Sequence, residues 1–360
     1  MLYSSSMNME INKSAMGAHY LLSQLLWLCI GLAGFGAAAG LDYRRLKRLA
    51  PWLLVLSVLL LALVFAPVVG IARHGAHRWI GRAGLLQFQS SELAKLGLIV
   101  FLAAYMDRYQ RQMASFKKGL LIPCALIAPV LGLIFIEPDR GCTILLAAVC
   151  GVMLVLGGAR LTYLIPPALL SMGGLALSFW HDPMRMERIM AWAHPERKEG
   201  AGYQAYEAMI ALGSGGWTGR GLGNGRQKLG FIPEHHTDFI FSIIGEELGL
   251  VATLAVLLLF IALVVCGIYI ARRSSDTFGM LLGAALTFMI GFQAFINIGV
   301  VTSVLPNKGM PLPFISYGGS NLVLMMVSVG LLVSISRFAA PAVPHNSNPF
   351  EAVPDAAHDA

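Results

Sequence analysis

The chain has 360 residues, of which 57% are hydrophobic and only 12% are charged, and its mean hydropathy is +0.70. Soluble domains carry about a quarter charged residues, so this composition excludes a soluble globular protein and predicts an integral membrane protein. The formal net charge of +7 reflects the basic loops described below. It does not indicate nucleic-acid binding.

Apolar segments long enough to cross about 30 Å of hydrocarbon as helices follow one another along the chain. Eight of them lie near residues 20–40, 51–71, 119–137, 141–158, 161–180, 239–271, 278–304 and 319–336. A shorter ninth, near 91–106, begins with Glu92 and Lys95. Nothing alternates with period two as barrel strands do. The sequence therefore predicts an all-α, multi-pass membrane protein of about nine helices, with residues 1–338 as its membrane domain.

Basic residues in the short loops predict the orientation, because Lys and Arg are retained on the cytoplasmic side. They concentrate in three loops on one side of the nine-helix alternation: 44–48, 108–118 and 272–273. The long segment 181–237 and the loop 305–318 are then outside, with the N-terminus also outside and the C-terminus inside. Residues 339–360 are rich in Pro, Ala and polar residues and are expected to form a disordered cytoplasmic tail.

Two short polar stretches lie at the predicted outer face. Glu92 and Lys95 are spaced i,i+3 on one helical face at the end of the stretch 75–95. Such a pair either neutralises itself at the membrane border or faces a water-filled cavity. The acidic turn IEPDRG at 136–141 is explained at least as well by a proline-containing turn as by a binding role.

The segment 181–237 is a candidate working surface, since most loops run to about six residues. An amphipathic stretch at 203–212 leads into a glycine-rich run that carries Arg220, Arg226 and Lys228. Backbone amides and basic side chains of this kind are suited to hold phosphates. A flexible loop between a surface helix and the membrane explains the run equally well.

Two further segments join outer loops to membrane helices. FIPEHHTDFIFSIIGEELG, at 231–249, places ionisable side chains at the start of an apolar segment, where they are costly unless they face water, protein or a substrate. LPNKGMPLPFISYGGSNL, at 305–322, combines three prolines with Gly318 and Gly319. The prolines stiffen the loop and the glycines let the backbone turn sharply into the last helix.

Four separated motifs, in this order, resemble the SEDS family of peptidoglycan polymerases: HRWIGRAGLLQFQSSELAK, EPDRG, HTDFIFSIIGEELG and LPNKGMPLPFISYGGSNL. The likeness spans residues 3–337. The KG at 308–309 and the IIGEELG run favour the FtsW-like division branch over the RodA-like elongation branch. Members of the family have ten helices, and MLYSSS is similar to the end of their first helix. That helix is not found in this sequence, so we expect either a misplaced start or a shortened variant.

The resemblance implies transfer of a disaccharide-pentapeptide from lipid II, which carries it on undecaprenyl pyrophosphate, onto a glycan strand. A sugar hydroxyl attacks the anomeric carbon from the face opposite the pyrophosphate, so the transfer inverts. A carboxylate can act as the base, and Arg, Lys or a divalent ion can stabilise the leaving group. No organic cofactor is expected, because the substrate carries its own activated bond. If a divalent cation stabilises the leaving group, it would be Mg or Mn, and the sequence does not predict its ligands.

Asp238, in the HTDFIF motif, is the catalytic base that the resemblance implies, while a helix N-cap is the alternative role for an Asp at this place. Glu246 lies eight residues further on, about 80° around a helix. It is expected to face the same cavity and Glu247 the opposite side, although packing or hydrogen bonding explains both equally well. The remaining predicted substrate contacts are Glu92, Lys95, Arg78, His236, Lys308, Ser316 and Tyr317.

The expected partners are lipid II, a class B penicillin-binding protein transpeptidase, other divisome proteins and membrane lipids, with no nucleic acid. The expected location is the bacterial cytoplasmic (inner) membrane at the division septum. A lipid II flippase or transporter, or an elongation polymerase, is the alternative. A flippase needs a polar path across the membrane, but residues 141–158, 248–271 and 278–304 contain no charged side chain and no inverted repeat is evident.

Overall fold

A computed structural model describes residues 16–66, 70–73, 76–81, 87–193, 201–226 and 237–339. Its helices, in chain order, are α1 Met16–Gly40, α2 Arg44–Leu63, α3 Ser90–Arg108, α4 Ile122–Ile136, α5 Arg140–Leu156, α6 Leu161–Trp180, α7 Pro183–Ala193, α8 Ala201–Ser214, α9 Ile240–Arg272, α10 Thr277–Val301 and α11 Gly319–Arg337. A 3-10 turn, Gln110–Gln112, and a π-helical turn, Lys117–Leu121, precede α4.

All nine predicted membrane helices are present, as α1 to α6 and α9 to α11, although α2 covers Arg44–Leu63 and not the predicted 51–71. Seven of the described helices are long and apolar enough to cross a membrane, counting α4 together with its π-helical turn. Of the other two, α5 is an apolar helix of 17 residues, and α3 carries charged residues at both of its ends. The predicted amphipathic stretch at 203–212 is the helix α8. The all-α, multi-pass membrane architecture is confirmed.

Small residues allow the long helices to pack closely. A β-carbon on Gly31 would lie 2.6 Å from the sulfur of Met326, so α1 and α11 are in direct contact along their length. A β-carbon on Gly267 would lie 2.2 Å from Oγ1 of Thr287, which brings α9 equally close to α10. Small residues serve in this way where helices associate in lipid, because van der Waals packing then drives association.

The predicted alternation of the loops is confirmed by contacts at one end of the bundle. The hydroxyl of Tyr43 donates to Oδ1 of Asp276 at 2.7 Å, Lys47 pairs with Asp107, and Oγ1 of Thr277 lies 3.2 Å from the side-chain oxygen of Gln110. All three basic loops therefore share this end, here called the Tyr43 end. The loops that contain Asp238 and residues 305–318 share the opposite end, here called the Asp238 end.

A small antiparallel sheet, which the sequence did not predict, lies at the Asp238 end between α2 and α3. Its strands are β1 Gly70–Arg73, β2 Ala76–Ile80 and β3 Phe88–Gln89, in the order β1-β2-β3. Trp79 pairs with Gln89. Strands of two to five residues are too short to produce a readable alternation, which is why the stretch 75–95 resembled a loop.

Helix α9 doubles back on itself at Gly249, where φ is 78° and ψ is −172°. A β-carbon on Gly245 would lie only 3.4 Å from Cγ2 of Thr253, although residues eight apart in a straight helix are separated by about 12 Å. The first segment, residues 240–248, therefore folds against the longer second segment. Positive φ is readily adopted only by glycine. Asp238, just before the first segment, lies beside α10.

Candidate functional site

Asp238 is held between α10 and the loop that precedes α11. Its backbone carbonyl accepts a hydrogen bond from Nδ2 of Asn297 at 2.8 Å. A β-carbon on Gly309 would lie 2.2 Å from Oδ2 of Asp238, so the carboxylate rests directly against that glycine. Oγ of Ser316 donates to the carbonyl of Thr237 at 2.5 Å. The structure thus brings together two motifs that lie far apart in the sequence.

The N-cap position of α9 is occupied by Phe239, which makes no side-chain cap hydrogen bond. Asp238 lies one residue before it. Helix starts are defined only to within one or two residues, so a capping role for Asp238 stays the alternative prediction.

Lys308, next to Gly309, is a buried cation at the same site. Its Cε lies 3.3 Å from the position of a β-carbon on Gly141, at the start of α5. Among the described residues, its Nζ is buried without a hydrogen-bond partner. Burial lowers the pKa of Lys308 to about 8, against the opposing effect of Asp139. The amine is therefore mostly charged at neutral pH, and its charge is sensitive to mild alkali.

Arg78 is engaged by the turn between α4 and α5. Its guanidinium donates to the carbonyls of Glu137 at 3.1 Å and Pro138 at 2.8 Å. Asp139 caps α5 by accepting from the amide of Cys142 at 3.1 Å. The acidic turn therefore has the structural role that a proline-containing turn predicts. Burial, and then Asp139, raises the pKa of Glu137 to about 8, so this carboxyl is mostly protonated at neutral pH.

Glu92 and Lys95 form a buried ion pair of 2.9 Å, with 5% and 2% of the two residues exposed. Neighbouring helices supply the remaining hydrogen bonds. Nδ2 of Asn321 donates to Glu92 at 3.1 Å, and Nζ of Lys95 donates to Gln293 at 3.3 Å. This packing favours the interpretation that the pair neutralises itself. A contact of the pair with substrate stays a prediction.

Sequence reasoning missed two amides of α10 that connect the site. Gln293 and Asn297 lie one turn apart, so both side chains are on the same face. Nε2 of Gln293 donates to the carbonyl of Pro311 at 2.9 Å, and Nδ2 of Asn297 donates to that of Met310 at 2.6 Å. Together they join the ion pair, the proline-rich loop and Asp238. The available signal was a pair of polar residues at i,i+4 in an apolar helix.

Glu246 and Glu247 are fully buried at the bend of α9. A β-carbon on Gly225 would lie 3.0 Å from Oε2 of Glu246 and 3.1 Å from Oε1 of Glu247. Both side chains therefore lie on the same side, and the prediction that they face opposite sides is wrong. The reason is that two long side chains near a sharp bend converge on the glycine-rich segment packed there. The hydrogen-bonding interpretation of Glu246 is supported, since it accepts from the amide of Arg226 at 2.7 Å.

The remaining predictions have different outcomes. Ser316 and Tyr317 lie in the loop against Asp238, and Ser316 fixes the loop by accepting from the amide of Leu312 at 2.7 Å. His236, Lys228 and the tail 340–360 lie outside the described residues. Within the described part of the chain, no three His, Cys, Asp or Glu side chains come together to hold a metal ion.

Membrane-spanning helices that hold a carboxylate and a buried lysine at one end define a polytopic membrane protein with a polar site at its surface. Residues 1–340 match the model of the FtsW/RodA/SpoVE family, which is described as "Cell cycle protein". The chain therefore belongs to this family, as its motifs predicted.

Individual relatives agree with the family model. The probable peptidoglycan glycosyltransferase FtsW of Geobacter metallireducens is 38% identical over 337 residues, which covers 93% of this chain and 90% of that protein. Stage V sporulation protein E of Bacillus subtilis is 37% identical over 317 residues, covering 88% and 86%.

Solved structures show the same fold. One, from a peptidoglycan synthase complex that coordinates polymerization and crosslinking, has a TM-score of 0.75 at 30% identity and covers 89% of this chain and 90% of its own. The rod shape determining protein RodA of Thermus thermophilus has a TM-score of 0.68 at 29% identity, covering 93% of each chain.

Proposed function

We propose that the chain is a peptidoglycan glycosyltransferase that polymerises lipid II into glycan strands, with Asp238 as the catalytic base. The observation that carries this proposal is the contact between the Asp238 carboxylate and Gly309, next to the buried amine of Lys308. Both groups lie at one end of the bundle, with the carboxylate of Asp238 against the loop 305–318 and the side chain of Lys308 against the start of α5. The family membership and the names of the FtsW relatives support the same activity.

The chemistry follows from these two groups. The acceptor sugar hydroxyl attacks the anomeric carbon of the lipid-linked sugar, and its proton passes to the carboxylate of Asp238. The carbon–oxygen bond to the carrier breaks, and undecaprenyl pyrophosphate leaves with the electron pair. Lys308 is placed to stabilise the negative charge that develops on this leaving group. Attack opposite the leaving group inverts the anomeric configuration.

A divalent cation does not enter this scheme. Within the described residues no three metal-ligating side chains come together, and we assign no step to a cation. Magnesium or manganese stays a prediction from the sequence.

The proposed setting is the outer face of the bacterial cytoplasmic membrane, at the septum, with a class B penicillin-binding protein as the transpeptidase partner and with other divisome proteins. Basic loops at the Tyr43 end support this orientation, because they favour the cytoplasmic side. The FtsW names of the relatives support the division role. The likeness to a subunit of a peptidoglycan synthase complex supports a lasting partner.

The test is polymerisation of lipid II by the purified protein, with and without a class B transpeptidase. We expect wild-type protein to make glycan and the variant Asp238→Asn to fold but make none, because an amide cannot accept the proton. Asp276→Asn is the matched control. Asp276 caps α10 by accepting from the amide of Gly279 at 2.9 Å at the opposite end of the bundle, and Asn caps about as well as Asp.

Near wild-type polymerisation by Asp238→Asn would overturn the assignment of the base. If the wild type moved lipid II across the membrane of vesicles and did not polymerise it, the flippase would be favoured instead.

A further inference from the structure

The first segment of α9 is fixed at both ends by parts of the chain that are distant in sequence. At its start, Asn297 and Ser316 bind the backbone of residues 237–238. At its other end it meets the glycine-rich residues 215–226, here called the strap. The strap thus contacts the short element that carries the proposed base, but at the end opposite that base.

Backbone hydrogen bonds join the strap to α9 on both sides of the bend at Gly249. Four of them are Leu250 N–H to Gly216 O (2.9 Å), Val251 N–H to Trp217 O (3.3 Å), Arg220 N–H to Glu246 O (3.0 Å) and Gly221 N–H to Glu247 O (3.0 Å). A bend inside a helix leaves backbone groups without their usual partners, and buried groups of this kind must be paired elsewhere. The strap supplies that pairing, so it stabilises the bend.

Glycines allow the strap to lie this close to α9. A β-carbon on Gly215 would lie 1.9 Å from the carbonyl oxygen of Gly245, and one on Gly219 would lie 2.2 Å from that of Glu247. The glycine-rich run is therefore required for close packing. At least two of its amides, those of Arg220 and Gly221, donate to α9 and cannot also hold phosphate.

An ion pair adds to the backbone contact. Nη1 of Arg220 lies 3.7 Å from Oε1 of Glu246, with the Arg side chain 37% exposed and the Glu side chain fully buried. Nε of Arg220 also donates to the carbonyl of Ser214 at 3.2 Å, which ties it to the end of α8. The same carboxylate accepts from the amide of Arg226, also in the strap, at 2.7 Å. Because a buried carboxylate is costly without partners, the ion pair and this hydrogen bond together hold the strap and the first segment of α9 in one arrangement.

We propose that Arg220 and Glu246 are positioning residues for the glycosyl transfer. They act through the first segment of α9, which they hold at one end while Asp238 lies at the other. Neither residue touches substrate. This inference rests on the proposed function, because it assigns the pair a task only if Asp238 is the base.

The test compares steady-state polymerisation of lipid II by Arg220→Gln, Glu246→Gln and the double variant. Each single change is expected to lower kcat about tenfold, since small misplacement of a reacting group is costly, and to leave KM unchanged. The double variant should be no slower than either single variant, because the two residues act as one unit. Arg220→Lys should restore most of the rate. Arg188→Gln, on α7, is the control for loss of an arginine at this end.

A second measurement does not depend on activity. Hydrogen exchange of the amides in residues 240–252 should be faster in Arg220→Gln than in the wild type, with exchange in α11 unchanged. If the wild type makes no glycan while this difference appears, the proposed function fails and the structural link stands.

Four results would overturn the inference. The first is an increase in KM for Arg220→Gln, which would mean that the strap binds substrate directly. The second is a double variant whose loss equals the product of the two single losses. The third is unchanged exchange in residues 240–252. Failure of both Arg220 variants to fold would also overturn it, because the pair would then be needed for the fold and not for positioning.

Discussion

Gly309 is the position where the smallest change reaches the proposed base. A β-carbon added there would lie 2.2 Å from Oδ2 of Asp238 and 3.1 Å from its Cγ. Non-bonded heavy atoms prefer a separation of about 3.5 Å. The substitution Gly309→Ala therefore forces the carboxylate or the loop to move by roughly 1 Å. Either movement displaces the proposed base from its position against the loop.

The expected cost follows from that displacement. Misplacing a reacting group by about 1 Å lowers the rate about a hundredfold, which is a loss of about 2.7 kcal/mol of transition-state stabilisation. Gly309 is itself exposed, and the atom that its β-carbon would meet is the end of a side chain, so the change should leave the free energy of unfolding almost unaltered. We expect Gly309→Ala to be folded and slow.

The assay is the initial rate of glycan formation from saturating lipid II, together with the thermal unfolding midpoint in detergent. Gly132→Ala, in α4, is the matched control, because a β-carbon there meets nothing within 4 Å. A wild-type rate for Gly309→Ala would refute the reasoning, since the carboxylate would then not rest against this glycine during turnover. An equal loss in Gly132→Ala would refute it as well.

Three further predictions concern charge and topology. Lys308 loses its proton as the pH rises through about 8, so polymerisation should decline above that pH, and Lys308→Arg should move the decline to higher pH in a pH–rate profile. Lys95→Met should destabilise the protein by about 3–5 kcal/mol by leaving a buried carboxylate unpaired. In chemical denaturation, the double variant Lys95→Met with Glu92→Gln should have a midpoint denaturant concentration closer to that of the wild type. In a cysteine-free background, an impermeant maleimide should label Glu187→Cys but not Ser275→Cys in intact cells, and the reverse pattern would contradict the orientation.

The helices were predictable because each apolar segment is long and continuous, whereas the bend in α9 was not. Hydropathy is high on both sides of Gly249, so residues 239–271 resemble one straight span. The bend depends on positive φ at one glycine and on hydrogen bonds to a strap that lies 26 to 34 residues earlier in the chain. Neither leaves a periodic signal. The expectation that Glu247 faces away from Glu246 failed for the same reason.

The site was predictable where it depended on charge and not where it depended on amides. Residues 278–304 contain no charged side chain, yet Gln293 and Asn297 are the side chains that hold the proline-rich loop. Proline has no N–H, and a loop in an extended conformation leaves its carbonyls without helical partners. At the border of a membrane such groups must be paired within the protein. Two amides one turn apart on an apolar helix therefore mark the place where a non-helical segment must lie, and in this protein that segment is the one that carries Lys308 and contacts Asp238.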